Sequence, residues 1–507
     1  MASKKRINLI YIAIFFCFFL LHFHQLTFQH WSGVLDQDLI IIYNSLLLNS
    51  GIEQEYRDHP AFTTFLINSL IYKFIGLLNF IPGDIDEILA SNRINEIFQF
   101  YFNVSRSINF LFNILIIILF NKILKKLNIK KNLRFLISLI FIVSIGHINS
   151  YFSLRSENLS LLFLFLSVNA ALSKKRYLIT NFFIAGIFFA LAMLAKIQII
   201  FLSLYLIYLM PILSVSKDHK NFKNPYLINY FYISLFAGFV SFFAFQIYIQ
   251  EFPRFLTNKY LDLIFFIISF ILIFIYFYIS KNFKKNLLLL SSTLNGFAFM
   301  ILVIFVADKT GILYVNDFII LRITNPIHYM TEFTGDLANG VVNVTYLIQK
   351  VLQFFSNYRF NLLELIFILI LIFFNFRRKM YSVGLIVIFI INTLVMNFRY
   401  NEFYHFFYMF IYLILLVENM KIFNEKTSTR FTLVALLIFF LNTLNFLIIK
   451  KENFLTQIYN RQNNMMKICN EFKFKIPVNS YESVDYIQYW HMKLDDEKID
   501  RICKEIL

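Results

Sequence analysis

The sequence predicts an all-α polytopic membrane protein, and three observations carry that prediction. Hydrophobic residues fill 59% of the 507 positions and charged residues only 15%, whereas a soluble globular chain carries about 25% charge. Apolar runs of about 18 residues or more recur along the chain, long enough to cross a hydrocarbon core of about 30 Å. Lysine and arginine gather in the short segments between those runs, the bias that orients spans in a membrane. Backbone polar groups in lipid must be satisfied within the element, so the runs are helices.

Taken in order, Lys4, Lys5 and Arg6 precede an apolar stretch from Ile7 to about Phe28 and hold the N-terminus in the cytoplasm. No small-residue cleavage site follows, so this first span is expected to remain as a signal anchor. The next loop, residues 29–100, then lies outside. Within it, Leu39 to Leu48 and Ala61 to Phe80 are apolar but interrupted by Asn and Lys, as expected of helices lying on or dipping into the outer leaflet. A second span, about residues 101–121, ends in Lys122, Lys125, Lys126, Lys130, Lys131 and Arg134, which marks the inner side.

Later clusters repeat that alternation. Lys174 to Arg176, Lys217 to Lys223, Lys281 to Lys285, Arg377 to Lys379 and Lys421 to Arg430 fall on the inner side. Short outward turns lie near Arg155, Lys196, Glu251 to Lys259 and Arg399, and a longer outer loop covers residues 307–358, with an interfacial helix near Val341 to Phe355. The expected total is about 13 transmembrane helices, N-terminus inside and C-terminus outside. Residues 1–450 make the multi-span domain. Residues 451–507 turn polar and form a small extracytoplasmic segment, too short for a large core of its own, that packs as a lid.

Composition also excludes some functions. The net charge of +17 would point to nucleic acid in a soluble protein. Here the basic residues sit between spans and no nucleic-acid partner is expected. The abundance of Phe, Ile, Asn and Lys reflects an AT-rich genome rather than an aromatic binding array. Together with the lack of an organelle signal, it points to a bacterial inner membrane. Three cysteines, Cys17, Cys469 and Cys503, supply neither a metal spacing nor a disulfide framework.

Candidate chemistry lies with the charges at the outer surface. Asp36 and Asp38 follow the first span, Arg57, Asp58 and His59 follow further along the same loop, and Arg155, Glu157, Lys196 and Arg399 stand at span ends. Arg322, His328, Glu332, Glu402 and His405 share that side. A charge at a span end is costly unless paired or functional, and cations on this side run against the prevailing bias. Cations at headgroup level suit a phosphate that leaves with negative charge, and a carboxylate nearby suits a general base. Each residue also has a plainer role. Asp36 suits the N-cap of a helix starting near Gln37, and Asp38 a surface position on an interfacial helix. Arg155 and Glu157 suit a structural ion pair, and Lys196 a side chain snorkelling to the interface. Glu53 and Glu55 suit a solvated turn.

The order of these residues resembles that of GT-C glycosyltransferases, the branch of protein mannosyltransferases and lipid A aminoarabinose transferases. Asp36-Gln37-Asp38, Tyr43, Gly51 and Asp58-His59-Pro60-Ala61 resemble that branch's first outer loop. Leu154 to Asn158 resembles its Arg-x-Glu segment, Leu191 to Gln198 its lysine segment, and Asn397 to Tyr400 its late Arg-Tyr turn. The chain departs from the pattern at Gln37, where the family often has adjacent acids, and at Ala61, where it has a second proline. The resemblance implies transfer of a monosaccharide from a polyprenyl-phosphate donor to a lipid, glycan or protein acceptor outside the cytoplasm. It implies an inverting displacement with Asp36 or Asp38 as base. Arg57, His59, Arg155, Lys196 and Arg399 would hold the donor phosphate, supported by Asp58, Glu157 and Tyr400. Some relatives use a divalent metal, but the scattered acids show no ligand spacing, and no cofactor is expected. A polymerase or ligase of the O-antigen type, drawing on Arg322 and His328, and a lipid or solute transporter are the rival classes. Membrane lipids are partners in every case.

Overall fold

The computed structural model describes residues 38–54, 61–78, 81–91, 93–151, 154–174, 177–215, 271–280, 282–315 and 425–445, with short pieces at 16–23, 366–373, 413–417 and 448. These residues are helical, with no strand among them. Five helices are long and apolar enough to cross a membrane: Glu96–Lys126, Leu178–Ala195, Ile197–Val215, Phe283–Lys309 and Glu425–Asn445. The chain is therefore a helical membrane protein. The late outer loop beyond residue 315, its expected helix near Val341 to Phe355, and the segment 451–507 lie outside the described residues.

The first described helix, α1 (Asp38–Asn49), is not the interfacial helix expected from its sequence. Residues Ile40 to Leu48 are buried on every side. Its polar side chains survive there by bonding back to the helix: Asn44 Nδ2 donates to the Ile40 carbonyl at 2.8 Å and Ser45 Oγ to that of Ile41 at 2.6 Å. Gly51, at φ +74°, takes the left-handed turn that ends the helix. A Cβ there would stand 3.1 Å from the Tyr314 ring, and Gln54 Nε2 donates to the Tyr314 carbonyl at 2.6 Å. The loop after α1 is thus seated on residues 310–315.

Helix α2 (Phe62–Leu77) turns Thr63, Thr64, Asn68, Ser69 and Tyr72 inward and leaves Leu70, Phe74 and Leu77 exposed. Phe62 and Phe65 are buried with the polar residues, and Lys73 is exposed beside Phe74, so the outer face is mostly but not wholly apolar. Thr63 Oγ1 reaches the Leu191 carbonyl at 3.0 Å, and the Tyr72 hydroxyl bonds Ser105 Oγ. A short helix α3 (Ile85–Ala90), capped by the Asp84 carboxylate at the Asp86 amide, 2.9 Å, leads on to α4.

Helix α4 (Ile94–Lys126) has 33 residues. At 1.5 Å rise it is about 50 Å long, so it extends beyond the span expected at 101–121. It buries Arg106, Asn109, Asn113, Ile117 and Phe120 and exposes Leu111, Leu115 and Ile118. Asn128, at φ +63°, reverses the chain after it. Helix α5 (Lys131–Ile142) follows and, after a two-residue break at Val143 and Ser144, α6 (Ile145–Tyr151).

Helix α7 (Ser156–Ala171) is enclosed by its neighbours, and α8 (Leu178–Ala195) packs antiparallel to it. Ser160 Oγ donates to the Ala192 carbonyl at 2.8 Å and Ser167 Oγ to the Ala185 carbonyl at 2.7 Å, so seven residues along one helix match seven back along the other. After α8 the backbone breaks. Lys196 is extended, residues Ile197–Ser203 form a 3-10 stretch, and α9 (Leu204–Val215) carries Pro211 inside it.

Helix α10 (Phe283–Lys309) crosses α8 at two glycines. A Cβ on Gly186 would lie 2.0 Å from the Thr293 carbonyl oxygen, and one on Gly296 would lie 1.9 Å from that of Phe183. Small residues that let helix backbones touch are how membrane helices pack without a water-driven hydrophobic force. Ser292 Oγ bonds the Ile179 carbonyl at 2.8 Å across the same crossing. The last described helix, α11 (Glu425–Asn445), lies beside α5.

Candidate functional site

Four segments far apart in sequence meet at one end of the bundle. Asp38, in the first turn of α1, is wholly buried, not the surface residue of an interfacial helix. Its Oδ2 lies 2.5 Å from Arg106 Nη2 of α4, and its Oδ1 accepts the Leu154 amide N–H at 2.9 Å. Arg106 is 1% exposed and its guanidinium stands 4.9 Å from the centre of the Phe102 ring. The Leu154 bond ties α1 to the strand-like link ahead of α7, and the next residue begins a second ion cluster.

In that cluster Arg155 grips Glu157 in two places, Nε to Oε2 at 3.2 Å and Nη2 to Oε1 at 3.1 Å. Lys196 Nζ lies 3.0 Å from the same Oε1. All three side chains are at most 4% exposed. Local structure accounts for the placement. Asp38 and Glu157 sit in the first turns of α1 and α7, and Lys196 directly follows the last turn of α8. Carboxylates at helix N-termini and a cation at a C-terminus each match the helix dipole. The break after α8 lets Lys196 turn back over Glu157 instead of snorkelling outward, which corrects the plainer expectation for that residue.

A neutral polar layer continues inward from the charges. Asn158 Nδ2 donates to Asn109 Oδ1 at 2.6 Å and to the Ser150 carbonyl at 3.1 Å. Ser150 Oγ donates to Asn113 Oδ1 at 2.8 Å. Asn109 and Asn113 are one turn apart on α4 and face α6 and α7, while Arg106, a turn earlier, meets α1. Ser156 Oγ and Gln198 Oε1, neighbours in sequence of Glu157 and Lys196, are buried without a hydrogen-bond partner.

The structure thus gathers Asp38, Arg155, Glu157 and Lys196, all singled out in the sequence, and adds Arg106. Arg106 falls inside an apolar run, and an arginine in that setting is itself a signal of an internal partner. The described ions number three cations, Arg106, Arg155 and Lys196, against two carboxylates, Asp38 and Glu157. Asp36, Arg57, Asp58, His59, Arg322, His328, Arg399 and Tyr400 lie outside the described residues. Among the described residues no three His, Cys, Asp or Glu side chains come together as metal ligands. Compared with known protein families, curated proteins and solved structures, the chain matches none.

Proposed function

We propose that the protein is an integral membrane glycosyltransferase that moves a monosaccharide from a polyprenyl-phosphate donor to an acceptor outside the cytoplasm. The observation that supports it best is the buried cluster in which Arg155 and Lys196 converge on Glu157 beside the Asp38–Arg106 pair. Arg155 and Lys196, held together by Glu157, suit the oxygens of a phosphate as it departs. In this reading the whole chain crosses the membrane about 13 times, with residues 451–507 as the lid.

The chemistry is a single displacement. The acceptor oxygen forms a bond to the anomeric carbon as that carbon's bond to the phosphate oxygen breaks. The acceptor proton passes to an aspartate, and the polyprenyl phosphate leaves with the electron pair. Both oxygens of Asp38 are already engaged, by Arg106 and by the Leu154 amide, so Asp38 suits the holding of the loop. Asp36, two residues upstream, is then assigned as the base. Arg57, His59 and Arg399 are assigned to the phosphate, and Asp58 and Tyr400 to the acceptor side. The exposed apolar face of α2 is assigned to the isoprenoid tail.

A transporter is the second reading, favoured by the break at Lys196 and the 3-10 stretch after it, since broken helices with charged residues are a transporter trait. The two separate in one experiment. Wild type, Asp36→Asn, Asp38→Asn and Lys196→Gln are compared in the native host, with surface glycans and lipid-linked sugars read by mass spectrometry and membrane levels checked. A sugar missing from a glycan while its polyprenyl-phosphate donor accumulates is the expected result. Unchanged glycans in all three variants, beside a clear defect in a full deletion, would move the assignment to transport.

A further inference from the structure

Three serines stand on the face of α7 that meets α8. Ser156, Ser160 and Ser167 are spaced four and then seven residues apart, which keeps them on one side of a helix. Two of them close bonds across the interface, Ser160 to the Ala192 carbonyl and Ser167 to the Ala185 carbonyl. Carried one turn further, that antiparallel match sets Ser156 opposite Lys196 and the residues just past it. The contact beside it agrees, since Lys196 Nζ lies 3.0 Å from Oε1 of Glu157, the next residue after Ser156. Here α8 has ended: Lys196 is extended and Ile197–Ser203 form the 3-10 stretch. The third serine meets a broken backbone, and its Oγ has no hydrogen-bond partner.

Gln198, within that stretch, leaves its Oε1 without a partner as well. Both side chains are deeply buried, Ser156 at 0% exposure and Gln198 at 4%. A buried polar atom left unpaired is destabilising, and two of them at one break in a packed helix pair mark a place for a further bonding partner. The chemistry of the atoms narrows what it is. An amide oxygen only accepts, and a hydroxyl accepts or donates, so the partner brings O–H or N–H donors. A metal cation also seeks oxygens, but the carboxylate it would need, Glu157, is held by Arg155 and Lys196.

We propose that Ser156 and Gln198 form the subsite that binds hydroxyl groups of the donor's sugar, beside the cations that take its phosphate. This subsite rests on the proposed reading of Arg155 and Lys196 as the phosphate seat, and it adds which part of the donor is read next to that seat. A sugar joined to the phosphate carries its hydroxyls within one ring of the cations. Ser156 adjoins Glu157 in the chain and Gln198 follows Lys196 by two residues. Gln198 Oε1 accepts from one hydroxyl, and Ser156 Oγ shares a hydrogen bond with another. Held at two points, the sugar is oriented as well as bound, and a sugar lacking a hydroxyl there leaves the buried atoms unpaired and is rejected. An ordered water bridging the two atoms is the competing occupant.

The test offers the full purified chain the polyprenyl-phosphate fraction extracted from membranes of the native host, with bound lipid read by native mass spectrometry. Mass separates the sugar-bearing lipid from the sugar-free one, and thermal unfolding of the empty chain is followed alongside. Wild type should hold the sugar-bearing lipid in preference. In Gln198→Met and in Ser156→Ala the affinity for that lipid should fall about tenfold, while the sugar-free lipid binds as in wild type. Neither substitution should lower the unfolding temperature of the empty chain, because each removes an atom that had no partner. Ser160→Ala, which breaks the bond to Ala192, should lower that temperature and leave the preference intact. A preference that survives in both Gln198→Met and Ser156→Ala would overturn the subsite alone and leave the two atoms to water. Equal loss of both lipids in these variants, or a less stable empty chain, would make the two residues structural and overturn it too. A wild-type chain that holds neither lipid would remove the phosphate seat, and the subsite with it.

Discussion

Asp38 and Arg106 are each nearly without solvent contact, so neither can lose its partner cheaply. Asp38→Asn leaves a buried guanidinium uncompensated, and the expected loss of stability is about 3–5 kcal/mol. Arg106→Leu should cost about as much, while Asp38→Leu with Arg106→Leu should recover most of it, since an apolar pair of similar volume often matches a buried ion pair. Thermal unfolding of the purified chain in detergent measures all three, and a double variant no better than the worse single one would show that the pair is not coupled. Glu157→Gln should act differently. It removes the carboxylate that competes for Arg155 and Lys196, so inorganic pyrophosphate should bind the purified chain more tightly by calorimetry, whereas Lys196→Gln should weaken that binding. At this scale the sequence was legible for Arg155, Glu157 and Lys196, because charges at span ends stand out. It was misleading for Asp38 and silent on Arg106, because the same letters describe a side chain in lipid, in water or against a partner.

Among elements, α8 and α10 are the most tightly seated pair, and the two glycines decide it. Gly186→Ala places a methyl against backbone atoms of α10 that have no rotamer to yield. Separating the helices should destabilise the protein by about 1–3 kcal/mol, as overpacking does. Gly296→Ala should do the same, whereas Gly76→Ala, with its nearest neighbours at 3.5 Å, should be close to neutral by the same measurement. A smaller effect belongs to α2: Tyr72→Phe removes its bond to Ser105 and should cost about 1 kcal/mol. The long apolar helices α4, α8 and α10 were visible in the hydropathy pattern. The enclosure of α1, the division of α5 from α6 and the 3-10 stretch after Lys196 were not, because each is set by what packs against the segment rather than by its own periodicity.

At the scale of the molecule, the contacts sort the ends of the helices in the way the charge pattern implies. Segments expected on one side meet each other, as Asp38, Leu154 to Glu157 and Lys196 do, and segments expected on the other side meet likewise, as Lys130 and Glu425 do. Single cysteines in a chain whose Cys17, Cys469 and Cys503 are changed to serine test the sidedness. Glu53→Cys, in the exposed turn after α1, should react with an impermeant maleimide from outside intact cells. Lys130→Cys and Lys284→Cys should react only after the membrane is opened. The reverse pattern would invert the orientation and remove the outward-facing transferase from consideration.

The sequence by itself determined that the chain is helical and that it lives in a membrane. Those properties arise one residue at a time, from the transfer of apolar groups into lipid and from the bias of cations between spans. Only the tertiary structure decided that Asp38 answers Arg106 from 68 residues away, that Glu157 is shared by Arg155 and Lys196, and that α1 is enclosed. A polar side chain inside a helical bundle takes its meaning from its partner, and that partner is chosen by packing between distant segments, which no local pattern records.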